Sequence, residues 1–162
     1  MRGGHDRPRE LHKRVGGRLM RKLLVAVDGS ASSNRAVDQL IVHLGMLKEP
    51  AEIHLLNVQH PIPYGNRVSS VVGHEKIAQF HREEGMAALK TAMQKLDAAR
   101  IKYHYHIGVG AEAEVMCQYA KEKGCDQIYM GTRGLGTVSN LVLGSVASKV
   151  IHLSTVPVLL VK

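Results

Sequence analysis

Residues 22–30 read KLLVAVDGS, and this short segment indicates the fold class. The run Leu23–Val27 is continuously apolar, which is typical of a strand that is buried on both faces of a sheet. It stops at Asp28-Gly29-Ser30, after which serines at positions 30, 32 and 33 can cap a helix. Apolar residues then recur at helical spacing, at Ala36, Val37, Leu40, Ile41 and Leu44. The segment therefore predicts a buried strand followed by a helix.

The same order of strand and helix continues to the end of the chain. Further strands are predicted at Ile53–Val58, Ile101–Ile107, Gln127–Met130 and Val156–Val161, and further helices at about His74–Ala99, Glu112–Lys123 and Leu143–Leu153. Alternating strands and helices form a parallel sheet with right-handed crossovers and helices on both faces, so we predict an α/β fold. The third strand alternates apolar and polar residues, which predicts an edge strand with one wet face.

Length and composition are those of one globular domain. The 162 residues are 44% hydrophobic and 22% charged, which is enough apolar material for a core. The chain has one Phe, five Tyr and no Trp. Proteins that bind nucleic acids by base stacking depend on aromatic side chains, so the composition argues against that class.

Half of the net charge of +8 lies in residues 1–19, an Arg- and Gly-rich segment without helical or strand periodicity. We interpret this segment as a disordered basic arm that precedes a single domain over residues 20–162. A solvated tail is the simplest interpretation of the arm, and binding to nucleic acid or to an acidic partner is the alternative. A further alternative is that translation starts at Met20 and that the arm is not native.

We expect a cytoplasmic protein that does not contact a membrane. The basic start is not followed by the apolar run of a signal peptide, and no window of about 18 apolar residues could span a bilayer. Cys117 and Cys125 match no metal-binding spacing and form no CxxC pair. They are predicted to be free thiols in a reducing compartment.

Two predicted strand ends carry residues suited to binding a ligand. Asp28-Gly29-Ser30 follows the first strand, a glycine cluster from Gly131 follows the fourth, and Gly144-Ser145 opens the next helix. In an open parallel sheet, ligands bind beyond the carboxyl ends of the strands, where the strand order reverses. Glycines and a helix amino end suit a phosphate chain. A tight turn explains the same glycines equally well, because neither GxxxxGK[ST] nor GxGxxG is present.

The glycine spacing resembles a known signature. Gly131, two residues, Gly134, nine residues and then Gly144-Ser145 match G-2x-G-9x-G-[ST], the ATP-binding pattern of the universal stress protein family. The segments KLLVAVDGS (22–30), HLLNVQHP (54–61), DQIYMGTRGLG (126–136) and LGSVASKVIHLSTVPVLLVK (143–162) resemble that family as well. The resemblance implies a five-stranded parallel sheet in the order 3-2-1-4-5, a Rossmann-like fold of the adenine nucleotide alpha hydrolase type.

The resemblance also implies a role for individual residues. Asp28 would lie near the ribose or a phosphate-bound Mg²⁺, and the backbone at Val58 would face the adenine. The nucleoside pocket would be lined by Met130 and Gly131, and the phosphates would be surrounded by Arg133, Gly134, Gly144, Ser145 and Val146. Two positions depart from the common family pattern. Asn57 stands where a His is frequent, and Ala111-Glu112 stands where Asp-Pro is frequent.

This assignment implies a nucleotide-dependent regulator in stress responses that binds ATP, AMP or ADP, with Mg²⁺ as an optional companion. No set of residues is dedicated to γ-phosphoryl transfer, so we expect binding rather than enzymatic turnover, with weak ATP hydrolysis left open. One alternative is a slow Mg²⁺-dependent ATPase that uses Asp28. The other is an interaction or nucleic-acid module that uses the basic arm, although we do not expect nucleic-acid binding from the domain.

The remaining candidate groups are interpreted as structural. His104 and His106 share one strand face and could bind a metal, but without a third ligand an exposed polar face is the simpler interpretation. The pairs Glu83-Glu84 and Glu112/Glu114 are interpreted as solvated helix faces. His60 follows the second strand and could reach the rim of the pocket, but a surface residue is the simpler interpretation.

The last predicted strand, Val156–Val161, is apolar on both faces and yet lies at a sheet edge in the family-like order. An exposed apolar edge invites aggregation unless something covers it. A second copy that presents the same strand antiparallel would cover it, which predicts a homodimer.

Overall fold

The computed structural model describes residues 14–15, 18–19, 21–62, 73–135 and 143–162. The strands in these ranges are β1 (Arg14–Val15), β2 (Arg18–Leu19), β3 (Arg21–Ala26), β4 (Ala51–Gln59), β5 (Tyr103–Val109), β6 (Gln127–Gly131) and β7 (Val158–Val161). The helices are α1 (Ala31–Met46), α2 (His74–Ala98), α3 (Glu112–Lys123) and α4 (Ser145–Leu153). The five strands and four helices predicted for the domain are all present, and each predicted boundary lies within two residues of the observed one.

Strands β3 to β7 form one parallel sheet in the order β5-β4-β3-β6-β7. Numbered within the domain, this order is 3-2-1-4-5, so the predicted α/β fold and strand order are confirmed. The central strand is β3, in which Val25 pairs with Leu55 of β4 and with Tyr129 of β6. The predicted edge position of β5 is also confirmed, and β7 forms the opposite edge.

Each face of the sheet is covered by two helices. On one face, Leu23 and Val25 pack in a core with buried residues of α1 and α2, among them Leu40 and Leu89. On the other face, Leu24 packs in a second core with buried residues of α3 and α4. Successive β3 side chains point to opposite faces, so the continuous apolar run in the sequence serves both cores.

Strand β5 begins at Tyr103, two residues later than predicted, because the residues just before it form the end of α2. Arg100 adopts a positive φ of 56°, and the N–H of Ile101 donates to the carbonyl of Leu96 at 2.9 Å. This bond satisfies a carbonyl at the helix end. Ile101 therefore closes the helix instead of joining the sheet.

The structure describes a small antiparallel pairing within the basic arm, in which Arg14 lies opposite Leu19 and Val15 opposite Arg18. The rest of residues 1–19 lies outside the described residues. The interpretation of residues 1–19 as a disordered arm stays a prediction. None of the helices that the structure describes is long and apolar enough to cross a membrane.

Candidate functional site

The carboxyl ends of β3, β4 and β6 open into a cavity of about 550 Å³. The chain passes from β3 outward to β4 on one side and returns to β6 on the other, so the cavity lies where the strand order reverses. All nine residues selected from the sequence line it: Asp28, Val58, Met130, Gly131, Arg133, Gly134, Gly144, Ser145 and Val146. Their convergence on one cavity is an observation, and their contacts with a ligand stay a prediction.

Asp28 connects two loops at the base of this cavity. Its Oδ1 atom accepts a hydrogen bond from the N–H of Ser30 at 3.0 Å, and its Oδ2 atom accepts one from the N–H of Leu135 at 3.2 Å. Gly134 passes directly over the carboxylate, since a Cβ atom there would lie 2.7 Å from Oδ2. A side chain at position 134 would therefore displace either the loop or the carboxylate.

Ser30 starts α1 as the sequence predicts. Its hydroxyl accepts a hydrogen bond from the N–H of Ser33 at 3.1 Å, which is the usual N-cap geometry. The other serines serve different ends. Ser33 donates back to the Ser30 carbonyl, and Ser32 donates to the carbonyl of Val161 at the end of β7.

Gly131 allows α1 to approach the end of β6. A Cβ atom at this position would lie 2.5 Å from Ser32 Oγ and 2.8 Å from the Ser32 backbone. Backbone at that distance cannot move aside without shifting the helix. Gly131 is thus required by packing, whatever it also contributes to ligand contact.

Thr132 joins β6 to the neighbouring elements. Its N–H donates to the carbonyl of Val161 at 2.8 Å, and its carbonyl accepts from the N–H of Gly144 at 2.7 Å. These bonds fix the start of α4 against the end of β6. The Thr132 hydroxyl is buried beside the cavity and has no hydrogen-bond partner in the described part of the chain. Buried polar groups are usually paired, so this atom requires an explanation.

The amino end of α4 lies at the cavity, where Gly144, Ser145 and Val146 form part of the wall. Gly144 is the N-cap and makes no side-chain capping bond, and the first turn contains no acidic residue. The first N–H groups of a helix have no partners within the helix and carry its positive dipole end. This arrangement is suited to an anion.

Asn57 is held in the gap between β3 and β4. Its Nδ2 atom donates to the carbonyl of Val27 at 2.7 Å, and its Oδ1 atom accepts from Gln59 Nε2 at 2.5 Å. The side chain is thus used to tie the ends of two strands together. The cavity wall beyond it is formed by Val58 and Gln59.

His60 and Glu112 close one side of the cavity through a contact of 2.8 Å between His60 Nε2 and Glu112 Oε1. The interpretation of Glu112 as part of a solvated helix face is wrong, because only a quarter of its side chain is exposed and it lines the cavity. His60 is 76% exposed, as predicted, and it also lines the cavity, which was the alternative interpretation. One feature of the sequence could have identified Glu112 as a site residue: it is the first residue of the helix after β5, and so lies near the carboxyl ends of the strands, as the other site residues do.

His104 and His106 lie outside the cavity. The His104 side chain is 70% exposed, as predicted, with Nε2 at 4.0 Å from Glu52 Oε1. His106 stacks on Tyr119, with ring centroids 5.2 Å apart, a contact that the strand alternation does not predict. Within the described ranges, no group of three or more His, Cys, Asp or Glu residues is arranged to hold a metal ion.

His54 lies beneath these residues and is buried. Its Nδ1 atom pairs with the Tyr119 hydroxyl and its Nε2 atom with Glu52 Oε1, both at 2.9 Å. Burial lowers the pKa of His54, and the neighbouring Glu52 carboxylate offsets only part of that effect.

A sequence model of the Universal stress protein family matches residues 20–162. The chain belongs to this family. This universal stress protein is 33% identical over 150 residues to Universal stress protein YxiE of Bacillus subtilis (strain 168). The match covers 89% of this chain and 100% of YxiE. It is 32% identical over 150 residues to Universal stress protein MJ0531 of Methanocaldococcus jannaschii, covering 92% of this chain and 86% of that protein.

Solved structures of universal stress proteins have the same fold. Hypothetical protein MJ0577, from Methanocaldococcus jannaschii, superposes with a TM-score of 0.74 at 26% identity and covers 88% of this chain and 95% of its own. A universal stress protein solved in complex with cAMP superposes with a TM-score of 0.63 at 26% identity and covers 88% and 97%. The family and the fold predicted from the sequence are therefore both confirmed.

Proposed function

We propose that the cavity at the ends of β3 and β6 binds an adenine nucleotide, preferentially ATP, and that binding serves regulation in a stress response. The observation that carries this proposal is the convergence of the nine selected residues on one cavity of about 550 Å³. That volume suits a small organic ligand. The complex of a structural relative with cAMP supports an adenine nucleotide as the ligand class.

The phosphates are proposed to lie at the amino end of α4. The backbone N–H groups that follow Gly144, in the first turn of α4, have no partners within the helix, and the hydroxyl of the exposed Ser145 adds another donor. Arg133 lines the same cavity and contributes positive charge. A phosphate chain gains charge-assisted hydrogen bonds from all of these groups.

The ribose is proposed to lie against Asp28. Its carboxylate oxygens each accept one backbone hydrogen bond, which orients them and leaves further acceptor positions for a ribose hydroxyl. One carboxylate also fits the way Mg²⁺ binds in nucleotide sites, where phosphate oxygens and waters complete the octahedron. Asp28 would hold the ion there, and the ion would neutralise phosphate charge.

The base is proposed to lie against Val58, with Met116 and Met130 as apolar walls. The Asn57 amide group already donates to Val27, so it has little capacity to contact the base through this group. Adenine recognition is therefore assigned to the backbone at Val58 rather than to the side chain before it.

We propose a binding protein rather than an enzyme. Fast phosphoryl transfer needs a group that orients the attacking water in addition to groups that hold the phosphates. The two carboxylates among the described lining residues are both engaged, Asp28 by the N–H groups of Ser30 and Leu135 and Glu112 by His60. Phosphate release measured at saturating ATP and Mg²⁺ tests this assignment, and multiple turnovers per minute would favour a slow ATPase.

The decisive experiment is calorimetric titration of the full chain with ATP, AMP, cAMP and GTP. A Gly144→Val variant is expected to lose ATP binding, because a branched side chain blocks the approach to the helix amino end. Gly45→Val is the matched control, since a Cβ atom at Gly45 meets nothing within 4 Å and the residue lies in α1, away from the cavity. Unchanged ATP affinity in a folded Gly144→Val protein would overturn the proposal, as would a preference for GTP.

The proposal includes a homodimer and a cytoplasmic location. All four residues of the edge strand β7 are partly exposed, and Ile151 and Leu153 of α4 are exposed apolar residues. A second copy that adds its own β7 antiparallel would bury this edge and complete a continuous ten-stranded sheet across a twofold axis.

A further inference from the structure

A second cavity, of about 770 Å³, lies between the first turns of α2 and the carboxyl half of the edge strand β5. It shares no lining residue with the cavity at β3 and β6. None of the roles assigned above uses it. Its size is that of a small-molecule site rather than of a packing defect.

Most of its wall is apolar. Ile77 of α2 and Ile107 of β5 form the inner part, while Tyr105 and Val109 form the outer part and are each 47% exposed. Exposed apolar side chains that line a concave surface favour a ligand with an apolar body. An inorganic phosphate would gain nothing from these contacts.

The polar groups on the wall are basic. Arg82 lies on the α2 side together with His74 and His81, and the described lining residues include no Asp or Glu. A guanidinium beside apolar surface is suited to an acidic head group that carries two or more oxygens, with which it forms paired hydrogen bonds. A cation would find no carboxylate among these lining residues.

His81 adds a second and independent observation. The residue is 8% exposed, and its Nδ1 atom has no hydrogen-bond partner among the residues that the structure describes. An unpaired buried nitrogen costs free energy, and native proteins retain few of them unless a ligand or a special role accounts for them. A polar ligand group at this wall would supply the missing partner.

We propose that this second cavity binds a small organic anion, with an aromatic or aliphatic body between Tyr105 and Ile77 and an acidic head group at Arg82. The ligand class is that of an amphipathic carboxylate or sulfonate. The site is independent of the proposed nucleotide site, so either can fail without the other.

The test uses the full chain and the fluorescent probe 8-anilinonaphthalene-1-sulfonate, which has an aromatic body and one anionic head group. Saturable binding with one probe per chain is expected. Arg82→Glu is expected to weaken the affinity about ten-fold or more, the effect of losing one charge-assisted interaction. Lys76→Glu is the matched control, because Lys76 is exposed on the same helix, undergoes the same charge change and does not line the cavity.

A second pair of variants tests the apolar wall. Tyr105→Ala removes the aromatic ring and is expected to weaken probe binding, whereas Tyr105→Phe keeps the ring and is expected to bind as the natural chain does. Backbone amide NMR shifts on probe addition are expected at residues 77–82 and 105–109.

Four results would overturn the proposal. Absence of saturable binding is one, and shifts confined to Asp28 and Gly131–Gly134 are another, since they would put the probe in the first cavity. Equal losses in the Arg82→Glu and Lys76→Glu variants are the third, because they would reduce the effect to net charge. If Arg82→Glu changes the sedimentation of the chain and the natural chain does not bind the probe, the second cavity is a contact between copies of the chain. That result would also exclude the proposal.

Discussion

The Oδ2 atom of Asp28 accepts a hydrogen bond from the N–H of Leu135 at 3.2 Å, although the two residues are 107 positions apart in the chain. The other carboxylate oxygen accepts from Ser30, at the start of α1. One side chain at the end of β3 therefore orders both the loop that starts α1 and the loop that follows β6. These two loops are the ones on which the proposed ribose and phosphate contacts depend.

Asp28→Asn is expected to loosen the loop after β6. An amide side chain has one acceptor oxygen, so it cannot accept from both Ser30 and Leu135 as the carboxylate does. Hydrogen exchange at the Leu135 amide is expected to accelerate, and ATP is expected to bind about ten-fold more weakly, as for the loss of one hydrogen bond to a charged group.

Asp38→Asn serves as the control for this change. Asp38 is an equally charged residue of α1 that pairs with Lys95 at 2.5 Å and does not line the cavity. Its substitution should leave Leu135 exchange and ATP binding unaltered. If Asp28→Asn behaves in the same way as this control, the carboxylate neither orders the loop nor contacts the nucleotide.

Thr132→Val is expected to stabilise the protein while weakening nucleotide binding. The substitution replaces a buried hydroxyl that has no partner by a methyl group of similar size, and it keeps both backbone hydrogen bonds of the residue. Removing an unsatisfied buried polar group should raise the free energy of unfolding by about 1 kcal/mol.

Denaturant unfolding with and without ATP measures both effects of Thr132→Val. If the hydroxyl is kept for a ligand, the variant gains stability alone but loses part of the stabilisation that ATP provides. Thr155→Val, at an exposed position after α4, is the matched control. A destabilised Thr132→Val protein would mean that the hydroxyl already has a partner in solution.

The fold was predictable because local pattern and global topology agree in this chain. The apolar run Leu23–Val27 predicts a strand buried on both faces, and both cores use it. The alternation at residues 101–107 predicts an edge strand, which β5 is. The shift of the β5 start to Tyr103 was not predictable, because it depends on the hydrogen bond by which Ile101 closes α2.

The site was predictable in its members but not in its internal connections. The resemblance to the universal stress protein family, carried by the glycine spacing and the segments around it, implied a set of residues that line one cavity. The close approach of Gly131 to Ser32 and the pairing of His60 with Glu112 depend on how separate elements pack. No local periodicity carries such information. For this reason the sequence predicts a solvent-facing Glu112, whereas the structure places it in the lining of the cavity.

The stability of the protein is expected to depend on His54 between pH 7.5 and 5.5. Burial lowers the pKa of His54 below its usual 6.5, so the unfolded chain binds a proton at His54 more readily than the folded chain does. The contribution of neutral His54 is therefore complete above pH 6.5 and declines as the pH falls toward the folded-state value.

A comparison of the natural chain with His54→Gln isolates this contribution. The variant is expected to lose stability at pH 7.5, where the Tyr119 and Glu52 contacts are disturbed, and to lose less at pH 5.5. Urea unfolding at both values measures the difference, with the exposed His152→Gln as control. A cost that is equal at the two pH values would mean that the pKa of His54 is the same in the folded and unfolded chains.

The edge strand β7 is expected to hold two copies of the chain together. The natural chain is expected to sediment as a dimer at micromolar concentration, because the partly exposed residues Val158–Val161 form an apolar sheet edge. Val161→Lys is expected to shift the equilibrium toward monomer, since a charge at an edge opposes strand pairing. The backbone carbonyl of Val161, which accepts from Ser32 and Thr132, is retained in this variant.

Val42→Lys places the same charge at a residue of α1 that is 52% exposed, and it should leave the dimer intact. A natural chain that remains monomeric while folded would exclude pairing through β7, whereas equal dissociation of both lysine variants would place the contact elsewhere.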